Sequence, residues 1–108
     1  MDFASSISQG GDTVVVHPVG EVDRDTADQF LAALSAAVSK ADPGGAVEVD
    51  LTGVSFLDSA GVGALLTGRK AALARTVRFM ARDAQPAVHR ILDITNVWTL
   101  LRGSTDER

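Results

Sequence analysis

Phe56-Leu57-Asp58-Ser59-Ala60-Gly61-Val62-Gly63-Ala64-Leu65-Leu66 places a small, reactive hydroxyl where a buried strand gives way to a helix. Upstream, Val47, Val49 and Leu51 alternate with Glu48 and Asp50, the period-two pattern of a strand with one wet face. Downstream, Ala64, Leu65, Leu66 and Leu73 open an amphipathic helical pattern. Asp58 or Ser59 suits the N-cap, because a side-chain oxygen there accepts an orphan backbone N–H of the first turn. Those N–H groups and the positive end of the helix dipole also tolerate an added phosphate. From these residues alone Ser59 is either a plain cap, the commoner case, or a phosphorylation switch.

Outward from this stretch the chain alternates strands and helices. Phe3 to Ser8 reads as a first strand, with Gly10-Gly11-Asp12 as the turn into a second, Thr13 to Val19. Pro18 near the end of that second strand points to an edge position or a bulge. Asp25 or Thr26 then caps a helix whose core stripe is Phe30, Leu31, Leu34, Ala37 and Val38, and Asp42-Pro43-Gly44-Gly45 stops it. The third strand covers about Ala46 to Leu51, and the helix after the motif runs from Ser59 to about Arg75. Gly61, Gly63 and Gly68 each weaken that helix relative to alanine, which points to close backbone approach by a neighbouring element or by a partner.

Thr76 to Arg82 reads as a fourth strand after a tight turn at Arg75-Thr76, with Val77, Phe79 and Ala81 on one face and Arg78, Met80 and Arg82 on the other. Pro86 fits the first turn of a further helix with Val88, Ile91 and Leu92 inward, ended near Asn96. Val97 to Leu101 is a last helical turn or an edge strand, and the chain from about 103 is a frayed tail. Strands three and four both alternate apolar with polar positions, whereas a sheet covered on both faces favours continuous apolar runs. The helices are therefore expected on one side of the sheet.

The 108 residues make one domain with a single modest core, and 45% hydrophobic against 22% charged residues argues for a folded globule. Cysteine is absent, so disulfide and thiolate chemistry are excluded. Nothing resembles a signal peptide or a membrane span, and a cytoplasmic location is expected. The net charge of −4 is unevenly spread: residues 1–60 carry a balance of −8 and residues 61–108 one of +4. No basic stripe interleaved with aromatics is present, which argues against nucleic-acid binding.

The stretch Val49-Asp50-Leu51-Thr52-Gly53-Val54-Ser55 running into the motif resembles the central segment of the STAS family, in its anti-sigma factor antagonist branch. Val19-Gly20-Glu21-Val22-Asp23, followed by Thr26-Ala27, and Pro86-Ala87-Val88 leading to Arg90-Ile91-Leu92-Asp93-Ile94-Thr95 are similar to two further segments of that family, in the same order. The resemblance implies an α/β fold, a single STAS-like domain over 1–108 with a mixed four- to five-stranded sheet and helices packed on one face. It implies Ser59 as phosphoacceptor. It also implies a partner-binding surface of Glu21, Asp23, Thr26, Asp58, Ser59, Ala60, Gly61 and Val62, the last two beside the contact rather than at its centre.

The implied function is that of an anti-sigma factor antagonist. The unphosphorylated form binds an anti-sigma factor that is also a serine kinase, phosphorylation at Ser59 ends binding, and a serine phosphatase restores it. The protein is then no enzyme and holds no cofactor, ATP and Mg²⁺ belonging to the kinase. Two other roles stay open: a non-catalytic STAS subunit of a membrane lipid-transport ATPase, and a component of a stress-signalling scaffold. Other chemistry has weak support. Gly61-x-Gly63 lacks the lysine and the wider spacing of nucleotide loops. His17 and His89 lack ligand spacing and read as structural or surface residues. Ser59 lacks the Gly-x-Ser-x-Gly elbow of hydrolases. Trp98 reads as a packing anchor.

Overall fold

Ala4–Gly10 (β1) and Thr13–Val22 (β2) form an antiparallel hairpin that turns at Gly11, whose φ of +60° suits glycine. The computed structural model describes residues 3–102, so the expected tail from about 103 lies outside the described residues. On its other side β2 pairs in parallel with two strands in succession. Thr13–Val16 pairs with Ala46–Asp50 (β3), and Gly20–Val22 pairs with Val54–Leu57 (β4). Arg78–Arg82 (β5) extends β3 in parallel, giving a mixed five-stranded sheet in the order β1-β2-β3-β5 with β4 on β2. Among the described residues the α-helices are Ala27–Lys40 (α1), Ser59–Ala74 (α2), Pro86–Ile94 (α3) and Trp98–Leu101 (α4).

Two expectations about the strands are corrected. β2 has a neighbour on each side, so Pro18 does not mark an edge. It sits in the gap between the β3 and β4 ladders, where no ladder hydrogen bond is asked of it, and the register shifts at Gly20/Glu21. The third strand does not run directly into the motif either. It stops at Asp50, whose carboxylate accepts from Thr52 N at 3.1 Å and Thr52 Oγ1 at 2.6 Å and wraps the chain into a 3-10 turn at Leu51–Gly53. β4 follows that turn and delivers the chain to Asp58.

Between sheet and helices lies one core. Val14, Val16, Val47, Val49, Phe79 and Ala81 from the strands are buried with Phe30, Leu34, Ala37 and Val38 of α1 and Ala64, Leu65 and Ala72 of α2. Leu31 and Ile91, expected inward, are half-buried at its border. The tight turn expected at Arg75-Thr76 closes with Thr76 at φ +61° while Val77 N donates to the Ala72 carbonyl at 2.9 Å. Asn96 ends α3 in the same way, at φ +63° with Val97 N on the Leu92 carbonyl, and the chain turns at once into α4. Val97–Leu101 is thus helical and not an edge strand.

The opposite face of the sheet stays wet and carries a cross-strand polar row. His17 Nε2 meets Ser8 Oγ at 2.9 Å, and His17 Nδ1 meets Asp50 Oδ2 at 3.2 Å. Register sets Asp50 opposite Arg82, which reaches Asp50 at 3.8 Å, Glu48 at 3.0 Å and Asp83 at 2.8 Å. Burial pushes the Asp50 carboxyl up, but hydrogen bonds from Thr52 and His17 and the Arg82 charge outweigh it and hold its pKa below the ordinary 3.8. The unfolded chain therefore takes up the Asp50 proton first as pH falls. The stabilisation from Asp50 is complete above the unfolded value and is lost as pH drops through the folded one. Asp50→Asn should accordingly flatten the acid limb of a plot of urea midpoint against pH, the two proteins converging at the acid end. Parallel limbs would show that Asp50 does not carry this effect.

Candidate partner-binding site

The start of α2 settles which residue is the cap. Asp58 has extended backbone, and its Oδ1 accepts from Ala60 N at 2.9 Å and Gly61 N at 3.2 Å. Ser59 is the first helical residue, it is exposed, and its hydroxyl has no hydrogen-bond partner among the described residues. Ser59 is therefore presented at a helix N-terminus without serving it. Removing the cap should cost about 1 kcal/mol. Asp58→Ala is expected to lower the Tm by roughly 4 °C, while Asp58→Asn, which keeps the acceptor, should melt close to wild-type. Equal melting of the alanine variant and the wild-type would show that the cap contributes nothing.

The second candidate group lies beside the first because β4 pairs with the end of β2. Glu21 is opposite Phe56, Val22 is opposite Leu57, and Asp58 N donates to the Val22 carbonyl at 3.1 Å. The chain then turns into α1 through a reciprocal pair. Asp23 Oδ1 accepts from Asp25 N at 2.9 Å and Thr26 N at 3.1 Å, and Thr26 Oγ1 accepts from Asp23 N at 3.0 Å. Thr26 Oγ1 also donates to the Glu21 carbonyl at 2.8 Å. Of the two expected caps, Thr26 is the N-cap residue of α1, but no side chain caps the helix: the Thr26 hydroxyl is turned back onto the loop, and Asp23 holds the turn that precedes it.

A family profile described as "Mlab, STAS domain" matches residues 5–102. The chain belongs to the STAS family. An anti-sigma F factor antagonist of Lysinibacillus sphaericus is 28% identical over 100 residues, covering 90% of this chain and 82% of the relative. An anti-sigma factor antagonist from Mycobacterium paratuberculosis superposes with a TM-score of 0.78 at 27% identity, over 93% of this chain and 83% of that one. The anti-sigma factor antagonist SpoIIAA in its unphosphorylated form shares the fold, with a TM-score of 0.74 at 24% identity over 96% and 90% of the two chains. Similarity within the family thus runs to anti-sigma factor antagonists.

In this STAS domain the eight expected site residues form one patch, but at two depths. Ser59 is exposed, and Glu21, Asp23, Asp58 and Ala60 are half-buried. Thr26, Gly61 and Val62 are buried, with Thr26 and Val62 each 7% exposed, so they shape the surface from beneath. Gly61 lets the first turn of α2 sit close against the ends of β2 and β4. A Cβ there would lie 2.3 Å from Leu57 Cδ1 and 2.9 Å from Val22 Cγ1.

Sequence reasoning missed the neighbouring groove. About 290 Å³ of open space is lined by Phe56, Leu57, Ala87, Arg90, Ile91 and Ile94, with Phe56 46% and Ile94 69% exposed. Phe56 was legible only as part of the motif. Its outward direction follows from the β4 pairing, which the four-residue run Val54–Leu57 does not announce. Among the described residues no helix is long and apolar enough to cross a membrane, and no group of three or more His, Cys, Asp or Glu side chains is placed to hold a metal ion.

Proposed function

We propose that this STAS domain is an anti-sigma factor antagonist whose unphosphorylated form binds an anti-sigma factor with serine-kinase activity and so frees a sigma factor. Phosphorylation of Ser59 by that kinase ends binding, and a serine phosphatase reverses it. The observation that carries this reading is the division of labour at α2, where Asp58 caps the helix and the Ser59 hydroxyl is left exposed and uncommitted. A capping hydroxyl would have to be withdrawn from the helix before it could be modified; this one need not be.

Electrostatics supports the same cycle. A phosphoserine adds about −1.5 to −2 charge. The helix dipole accepts that charge without unfolding. Asp58, however, already occupies the Ala60 and Gly61 N–H groups, so the phosphate is left at the surface beside another carboxylate, where a docked partner must meet it. Glu21 and Asp23 flank the spot and offer carboxylates to partner arginines or lysines, which sets orientation and on-rate. In this reading the protein is a substrate and a switch, not an enzyme, it acts in the cytoplasm, and ATP and Mg²⁺ belong to the kinase.

Membership of the STAS family leaves a second reading, a non-catalytic subunit of a membrane lipid-transport ATPase, in which Ser59 need not be phosphorylated. A paired pull-down from the native cytoplasm and membranes separates the two. Recovery of a kinase-fold anti-sigma factor by Ser59→Ala but not by Ser59→Asp supports the antagonist. Equal recovery of one membrane ATPase by both baits supports the transport subunit and reduces Ser59 to a bystander.

A further inference from the structure

Two of the three glycines in α2 have a reason within the fold. A Cβ on Gly61 would strike Leu57 and Val22, and one on Gly68 would press on Leu34 at 3.2 Å and Phe79 at 3.3 Å. Gly63 has none. It is exposed and helical, a Cβ there would meet nothing within 4 Å, and its φ is ordinary for any residue. Glycine in a helix interior is among the poorest choices for stability, so the fold gains nothing visible from Gly63.

The position of Gly63 supplies the missing reason. It follows Ser59 by four residues, the spacing that stacks two side-chain positions on one helix face, and Leu66 follows three residues later on the same line. Leu66 is 36% exposed although its neighbour Leu65 is fully buried, and Lys70, the next position on the line, is exposed as well. A seam of Ser59, Gly63 and Leu66 thus runs from the proposed switch residue along the outer face of α2.

We propose that the anti-sigma factor which reads Ser59 also covers this seam, packing directly onto the bare backbone at Gly63 and burying Leu66. The inference rests on the function proposed above and names the rest of that partner's footprint. The charges on either side fit one docked chain and fix its direction: it carries basic groups toward Glu21 and Asp23 and an acidic group toward Lys70. Small residues at a helix surface allow the close approach that such a footprint requires, and an exposed leucine beside them supplies apolar area at the centre of the contact.

The test is calorimetric titration, without ATP, of wild-type, Gly63→Ala, Leu66→Ala and Leu100→Ala chains against the anti-sigma factor captured by the Ser59→Ala bait. Thermal melts of each variant run alongside. Gly63→Ala should melt about 4 °C higher than wild-type, as a better helix former. It should nevertheless bind at least about tenfold more weakly, because the added methyl stands where the partner packs. Leu66→Ala should also bind more weakly, while Leu100→Ala, an exposed leucine on α4 away from the seam, should bind as wild-type. Unchanged affinity for both seam variants overturns the proposal. So does a lower melting point for Gly63→Ala, which would mean that the fold itself needs the glycine. Capture of no anti-sigma factor overturns the function and the seam together, whereas capture with unaltered seam variants overturns the seam alone.

Discussion

Phosphorylated at Ser59, the protein should bind its anti-sigma factor at least about 100-fold more weakly than the unmodified chain, a loss of roughly 2.7 kcal/mol. Ser59→Ala should bind as the unmodified chain does. The magnitude follows from where the charge is placed. Ser59 is exposed, and the two nearest helix N–H groups are already held by Asp58 at 2.9 and 3.2 Å, so the phosphate finds little internal compensation beyond the dipole. On docking it must be desolvated next to Asp58 and against the partner.

The same geometry predicts that the fold itself hardly responds. Backbone chemical shifts of the phosphorylated and unmodified chains should agree everywhere except within a few residues of Ser59 and the adjoining Glu21–Asp23 loop. Shift changes spread through β3 and β5 would instead mean a conformational switch. Equal affinity of the two forms would remove the switch altogether.

Phe30→Ala should be the most damaging core substitution for folding, at about 3–5 kcal/mol. That is a large share of the 5–15 kcal/mol that roughly spans whole-domain stability. Phe30 is fully buried in the first turn of α1 and meets the ring of Phe3 edge-on, with centroids 6.0 Å apart and planes at 67°. The Tm should fall by more than about 12 °C, with the urea midpoint moving in proportion. Because Phe30 lies outside the patch, the folded fraction at low temperature should still bind the anti-sigma factor with wild-type affinity. A Tm within a few degrees of wild-type would mean that the core closes over the gap. Lost affinity in the folded fraction would mean that α1 sets the shape of the Asp23–Thr26 loop more directly than its packing implies.

Most of the architecture is readable from local pattern because each element carries its own period. The alternation of Val77, Phe79 and Ala81 with Arg78, Met80 and Arg82 places β5 and its two faces, although the strand starts at Arg78 and not at Thr76, which the positive φ commits to the turn. The stripe through Phe30, Leu34, Ala37 and Val38 does the same for α1. The element that escapes notice, β4, is four residues long. Its pattern of buried Val54, exposed Ser55 and Phe56 and buried Leu57 has neither a strict period of two nor a helical one. Pro18 shows the same limit from the other direction. A missing N–H demands a position where no donor is needed, and only the parallel pairing of β2 with two successive strands shows that such a position exists in mid-sheet.

Apart from β4, local sequence establishes which elements form, the wet face of the sheet and the placing of a hydroxyl at the head of α2. These depend on residues within a few positions of one another. How that hydroxyl is used depends instead on contacts across the fold. Asp58 and Ser59 are both good caps on paper, and three-dimensional placement gave the role to Asp58 and the surface to Ser59. Glu21 and Asp23 lie more than thirty positions upstream, and it is the β2–β4 ladder that brings them alongside Ser59. The three glycines of α2 look alike in the sequence, yet long-range packing accounts for Gly61 and Gly68 and leaves Gly63 bare. Local chemistry sets what each segment can become. Contacts between segments distant in sequence set which side chains are spent on the fold and which remain for a partner.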